Sequence, residues 1–369
     1  MRKTWIFLII IFISASYVFG VFSVHNNISP YTDLKLIYKK ITFVENEVDY
    51  TFDVESLIHI NSVSDIQKIR TNLINFIWND EGLPKNLPNN IEKISDNRYD
   101  NLENLKEIER IEVIMEYDVN SIAYLFVADN SIGELIIYHQ GHSGDFVNGF
   151  ETIQFFLDNG YSVLAFSMPL HGMNSQPIVK SEYFGEIHLT DHVYFRLLES
   201  EKFSPVKFFI EPIFVSLNYI EKNYSFSSYH FVGISGGGWT SVLYPAIDER
   251  ISQTFSVAGS YPIFLRSASG LSSDYEQIVP EIYRIASYLD LYLIDSFGQD
   301  RKFIQIFNKF DPCCYSGTGY KSYELILEEK INSIQPADFE IFLDESHSEH
   351  KISDKTLQFI LEELEHEKS

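Results

Sequence analysis

Cysteine is almost missing from this chain of 369 residues: only Cys313 and Cys314 occur, and they are neighbours. Without spread-out pairs no long loop can be closed by a disulfide, so stability has to come from a core. The pair sits just after Asp311 and is expected to be buried and structural. No CxxC spacing is present, which removes the common zinc and dithiol motifs. Positive charge is scarce too. Lys and Arg number 28 against 52 Asp and Glu, a formal net charge of −24, which excludes phosphate-backbone recognition and works against adsorption to anionic lipid. Internal repeats are lacking, so solenoid architectures drop out.

What the chain does have is apolar and aromatic bulk, 45% and 15% of residues, enough for a large core. An apolar run from Trp5 to Phe22 follows Arg2 and Lys3. It approaches the roughly 20 residues needed to span a bilayer, so a cleavable signal peptide and an uncleaved anchor both fit, and either puts the body outside the cytoplasm. Residues 23–110 are less legible. The spacing of Ile66, Ile69, Leu73, Ile74 and Ile77 predicts a helix over Asp65–Trp78, followed by a turn-rich run from Asn79 to Asn90; the whole stretch is expected to be an accessory segment. From 111 to 369, strand and helix patterns alternate. Strands are expected at Ile111–Tyr117, Ile122–Ala128, Leu135–Tyr138, Ser162–Phe166, Tyr229–Ile234, Thr254–Ala258, Phe303–Phe307 and Phe339–Leu343, in an α/β fold with a mostly parallel sheet covered by helices on both faces.

One stretch carries chemistry. Phe231-Val232-Gly233-Ile234-Ser235-Gly236-Gly237-Gly238-Trp239 reads as a buried strand entering a sharp turn that presents Ser235, with glycines where side chains would collide. The helix that follows has a positively polarised N-terminus, and the N–H of Gly236 lies beside the serine, where an oxyanion would form. A second glycine turn, His139-Gln140-Gly141-His142, ends an earlier strand and offers the N–H groups of Gly141 and His142. Asp311 closes a late strand, and a final loop carries His347 and His350 just ahead of Ser353, which reads as a helix N-cap.

The order serine, aspartate, histidine, with the glycine turn ahead of it, resembles the α/β-hydrolase superfamily over residues 110–366. Asp158–Gly172 is similar to that family's fourth strand and turn. The resemblance implies Ser235 as nucleophile, His350 as general base and acid with His347 as the alternative, Asp311 as the orienting carboxylate, and Gly236, His142 and Gly141 as oxyanion donors. It implies a serine hydrolase cleaving a carboxylic ester through an acyl-enzyme. A peptidase or amidase of the same fold, or a catalytically silent binding protein, is the alternative. The partner expected is a small-molecule or peptide-like acyl substrate, with no nucleic acid and with membrane anchoring through residues 5–22; the oligomeric state stays open. No cofactor and no metal are expected. His188 and His192, with Asp191 between them, have half-site spacing but read as polar helix residues, and His139, His142 and His171 as turn and pocket-wall residues. Two long connections, 173–205 and 259–299, are expected to behave as lid-like insertions; within the second, Asp274 and Glu276 could recognise a positively charged substrate group but read first as a solvated loop, and Asp295 and Asp300, ahead of the late strand, read as solvated.

Overall fold

The computed structural model describes residues 2–45, 51–269 and 274–366. In chain order its elements are α1 (Arg2–Asn26), α2 (Tyr31–Thr42), α3 (Val63–Trp78), β1 (Asn90–Ile94), β2 (Leu105–Ile114), β3 (Asn120–Ala128), β4 (Glu134–His139), α4 (Phe150–Asp158), β5 (Ser162–Phe166), β6 (Ile178–Ser181), β7 (Gly185–His188), α5 (Lys207–Asn223), β8 (Ser228–Ile234), α6 (Gly236–Ile247), β9 (Ile251–Val257), α7 (Ile263–Ser269), α8 (Pro280–Ile285), α9 (Tyr288–Ser296), β10 (Lys302–Asn308), α10 (Glu324–Ser333), β11 (Phe339–Asp344) and α11 (Asp354–His366).

Nine strands form one sheet in the order β1-β2-β3-β5-β4-β8-β9-β10-β11. β1, β2 and β3 run antiparallel to their neighbours, and from β5 to β11 every pairing is parallel. The central strands β3, β4, β5 and β8 are buried along nearly their whole length because both faces are covered. Alternation decides which face each residue meets: Leu135, Ile137, Leu164 and Phe231 join one core, with α3, α5, α6 and α9, whereas Ile136, Val163, Val232 and Ile304 join a second, with α4 and α11. This is the α/β-hydrolase fold.

The expected strands are all present, with shifted ends. The first one lies at Leu105–Ile114 rather than Ile111–Tyr117, because Tyr117 takes a left-handed turn (φ 60°) and the charged run Lys106–Arg110 is tied to β1 by cross-strand ion pairs, Lys93 to Glu107 at 2.6 Å and Arg110 to Glu92 at 3.3 Å. The sheet therefore reaches upstream of residue 111. β6 and β7 form a separate hairpin inside the 173–205 connection. Within 259–299, α9 is buried along its whole length and packs on α6 and β10, so that part is core rather than cover. Asp295 on this helix is buried, and loss of solvation pushes its carboxyl well up; the expectation that it is solvated fails because α9 is enclosed on every side. Asp300 is exposed.

The amphipathic spacing of α3 is realised: Ile66, Ile69, Leu73 and Ile77 are buried. Arg70 Nε donates to Ala246 O at 2.9 Å and Trp78 Nε1 to Glu211 Oε2 at 2.7 Å, fastening α3 to α6 and α5. α1 includes Trp5–Asn26, with mean hydropathy 2.4, a helix long and apolar enough to cross a membrane.

Candidate functional site

The parallel pairing brings the ends of β8, β9, β10 and β11 level. Ser235 N–H donates to Val257 O at 3.0 Å, Ala258 N–H to Ile306 O at 2.8 Å and Lys309 N–H to Asp344 O at 2.9 Å. Ser235, Asp311 and the His347–His350 loop thus leave the same carboxyl edge of the sheet, where ligands of such folds bind.

Ser235 is held at φ 58°, ψ −123°, a conformation that costs a non-glycine residue of order 1–3 kcal/mol and persists only where the surroundings impose it. The surroundings do so by contact. A Cβ on Gly233 would lie 2.1 Å from Gly237 O, and one on Gly237 2.0 Å from His139 O. The elbow is therefore wedged against β4 by backbone alone, and no larger residue fits at either place. Gly141 sits directly over the serine: a Cβ there would meet Ser235 Cβ at 2.6 Å and Oγ at 3.1 Å. The His142 ring covers Gly236 in the same way, with a Cβ on Gly236 2.5 Å from His142 Cε1. The two glycine turns picked out in the sequence are thus in mutual contact around Ser235, which is partly exposed.

The acid and the imidazole meet as well. His350 Nδ1 lies 2.6 Å from Asp311 Oδ2; since a carboxylate only accepts, Nδ1 carries the hydrogen and Nε2 presents a lone pair. His350 Nε2 is buried and has no hydrogen-bond partner among the described residues. The other carboxylate oxygen, Asp311 Oδ1, accepts the N–H groups of Cys313 at 2.7 Å and Cys314 at 3.3 Å. The two cysteines are disulfide-bonded to each other. Cys313 is exposed and Cys314 only partly covered, so they are not the buried pair expected; the turn they form lies at the rim, and its amides fix the Asp311 carboxylate.

His347 goes elsewhere. Its Nε2 faces Asp344 Oδ2 at 3.4 Å, and its Nδ1 accepts the Glu349 N–H at 3.2 Å. Asp344 also accepts from Ser346 N–H at 2.7 Å, Thr356 Oγ1 at 3.0 Å and the Ser353 hydroxyl. Burial would raise its carboxyl, but His347 and these donors hold it far below the usual range. Ser353 Oγ accepts Thr356 N–H at 3.0 Å, the N-cap expected for the last helix.

His139 is buried with Nδ1 donating to Gln140 O at 2.8 Å, and burial, followed by its neighbour His142, brings its pKa down to about 4 despite that bond. His188 is exposed at the end of β7, apart from His192, which is buried and joins His142 and Glu276 in a cluster. Glu276 is fully buried rather than solvated. Sequence spacing gave no sign of this cluster, because its members are 50 and 84 residues apart. Asp274, with a half-exposed side chain, stands 3.9 Å from His142 Nδ1. Where the two long connections meet, Arg196, Glu199, Tyr275 and Pro280 line a cavity of about 270 Å³.

No protein-family model matches the chain, and no curated protein matches it in sequence. Solved structures do match in fold. An acetyl xylan esterase from Paenibacillus sp. R4 superposes with a TM-score of 0.53 at 15% identity, covering 85% of this chain and 99% of that one. A putative acetyl xylan esterase from Bacteroides fragilis gives 0.55 at 13%, covering 77% and 75%, and a glucuronoyl esterase from Solibacter usitatus 0.53 at 10%, covering 80% and 90%. At such identities the likeness is one of fold.

Proposed function

We propose that the protein is a serine hydrolase that cleaves carboxylic esters through an acyl-enzyme intermediate, anchored to or exported across a membrane by residues 5–22. The observation that carries this reading is the Asp311–His350 hydrogen bond, which leaves Nε2 as an unpaired base at the sheet edge where the strained Ser235 elbow is packed under Gly141. In the reaction His350 Nε2 takes the hydroxyl proton as Ser235 Oγ attacks the acyl carbon. The backbone N–H groups of Gly236 and of the Gly141–His142 turn stabilise the oxyanion, each such donor being worth roughly 3–4 kcal/mol in related chemistry. His350 then protonates the leaving alcohol, Asp311 stabilises the transient imidazolium, and water repeats the sequence to release the acid. Esters are the first substrates to try because all three neighbours above are esterases; the same groups would serve an amide.

The test is fluorophosphonate labelling and a panel of p-nitrophenyl esters and aminoacyl anilides, run on the full-length protein in detergent. Labelling of the parent at Ser235, absent in Ser235→Ala, with turnover of esters over anilides, is the expected result. A parent that neither labels nor turns over either class would end the serine-hydrolase reading.

A further inference from the structure

The cluster beside the oxyanion turn has the geometry of a cation site. His142 Nε2 lies 3.2 Å from His192 Nδ1, His192 Nδ1 lies 3.1 Å from Glu276 Oε2, and His142 Nε2 lies 3.2 Å from Glu276 Oε1. Three ligand atoms at 2.0–2.1 Å from a tetrahedral Zn²⁺ stand about 3.3 Å apart, so this triangle is the face such an ion occupies.

Protons alone do not satisfy it. His192 Nε2 is 2.7 Å from Pro169 O; a carbonyl only accepts, so Nε2 carries a hydrogen, and Nδ1, which bears the lone pair of that tautomer, faces the triangle. Even if His192 were doubly protonated, each facing nitrogen would hold at most one hydrogen. Two hydrogens therefore have to serve three close edges, whereas one cation serves all three. Consistent with this, Glu276 Oε1 is wholly buried and makes no well-aligned hydrogen bond among the described residues, although His142 Nε2 stands 3.2 Å away. The Pro169 bond is also what a ligating histidine needs from its other nitrogen, since it fixes tautomer and ring orientation.

We propose that His142, His192 and Glu276 bind one divalent transition-metal ion, Zn²⁺ by the chemistry of a His₂-carboxylate set, as a clip that joins three segments. His142 belongs to the turn after β4, His192 to the 173–205 connection and Glu276 to the 259–299 connection. The ring of His171 stands within 5.6 Å of His142 and 5.3 Å of His192, centroid to centroid; it is partly exposed and supplies a fourth ligand or leaves that place to water. Because the His142 ring rests on Gly236, an ion held there fixes the turn over Ser235 and ties both long connections to it. That consequence rests on the serine-hydrolase reading; the binding does not.

The test uses full-length protein in detergent without reductant, which keeps Cys313 and Cys314 paired, stripped with chelator and dialysed against Zn²⁺ or Co²⁺. One equivalent of Zn²⁺ bound, a visible four-coordinate Co²⁺ spectrum and a higher unfolding midpoint with Zn²⁺ are expected of the parent and equally of Ser235→Ala. His192→Ala and Glu276→Gln should weaken binding at least tenfold. His142→Ala removes a partly exposed ring, so its unfolding midpoint without metal should stay near the parent's while the Zn²⁺ response disappears. A parent that takes up no stoichiometric metal, or a His142→Ala protein that binds and is stabilised like the parent, overturns the site. Metal uptake without fluorophosphonate labelling would sink the hydrolase reading and leave the site standing.

Discussion

Two histidines lie three residues apart in the final loop, each facing an aspartate at a strand end, and the two pairs do opposite things with the same functional groups. His350 spends Nδ1 on Asp311 and keeps Nε2 unpaired. His347 turns Nε2 to Asp344 and uses Nδ1 to accept an amide of its own loop. The carboxylates differ in the same sense. Asp311 is oriented by two amides of the turn after it, which leaves one oxygen for the imidazole, whereas Asp344 is saturated by Ser346, Ser353 and Thr356 and pins the start of α11. A base needs a free lone pair and a loop anchor needs none. The difference therefore lies in which ring nitrogen meets the carboxylate and in what else the carboxylate holds.

The sharpest way to break this contrast is to delete each ring. His350→Ala is expected to lower kcat on a p-nitrophenyl ester by about 10⁴-fold or more, and His347→Ala to lower it less than tenfold while reducing the unfolding midpoint; equal losses in kcat would erase the distinction. Next comes Asp311→Asn, expected to cost about 10³–10⁴-fold in kcat with KM little changed, because the amide favours the wrong imidazole tautomer. Asp344→Ala should act on stability, by about 1–3 kcal/mol in urea unfolding, since the buried Ser353 and Thr356 hydroxyls lose their acceptor; a kcat loss as large as that of Asp311→Asn would make Asp344 a partner in the chemistry.

The smallest effect expected is in the pH dependence of stability and comes from His139. Its pKa in the folded chain is about 4 against an ordinary 6.5. The unfolded chain therefore binds more protons between those values, so the stability contributed by the neutral ring is complete above pH 6.5 and is lost as pH falls toward 4. Urea midpoints of His139→Gln should fall less over that window than those of the parent; a parallel fall would remove His139 as a contributor.

Much of the sheet was legible because its strands are uninterrupted apolar runs bounded by glycine or charge, as with Leu135–Tyr138 and Ser162–Phe166. β1 and the first half of β2 were not, because Lys93, Glu107 and Arg110 look like a solvated stretch until the partner strand pairs their charges. The elbow could be read from Gly233 and Gly237, whose spacing is a local steric demand. Glu276 was misread as a solvated loop residue, because what buries it, His142 and His192, comes from remote segments.

The sequence by itself determined the strand and helix types, the Ser235 turn and the apolar N-terminal run, since each depends on side chains and backbone within a few residues of one another. Only the tertiary structure decided that His350 rather than His347 meets Asp311, that the Cys313–Cys314 turn holds that carboxylate, and that two histidines and a glutamate converge beside Gly236. Such pairings depend on distances across the fold, which spacing along the chain does not encode.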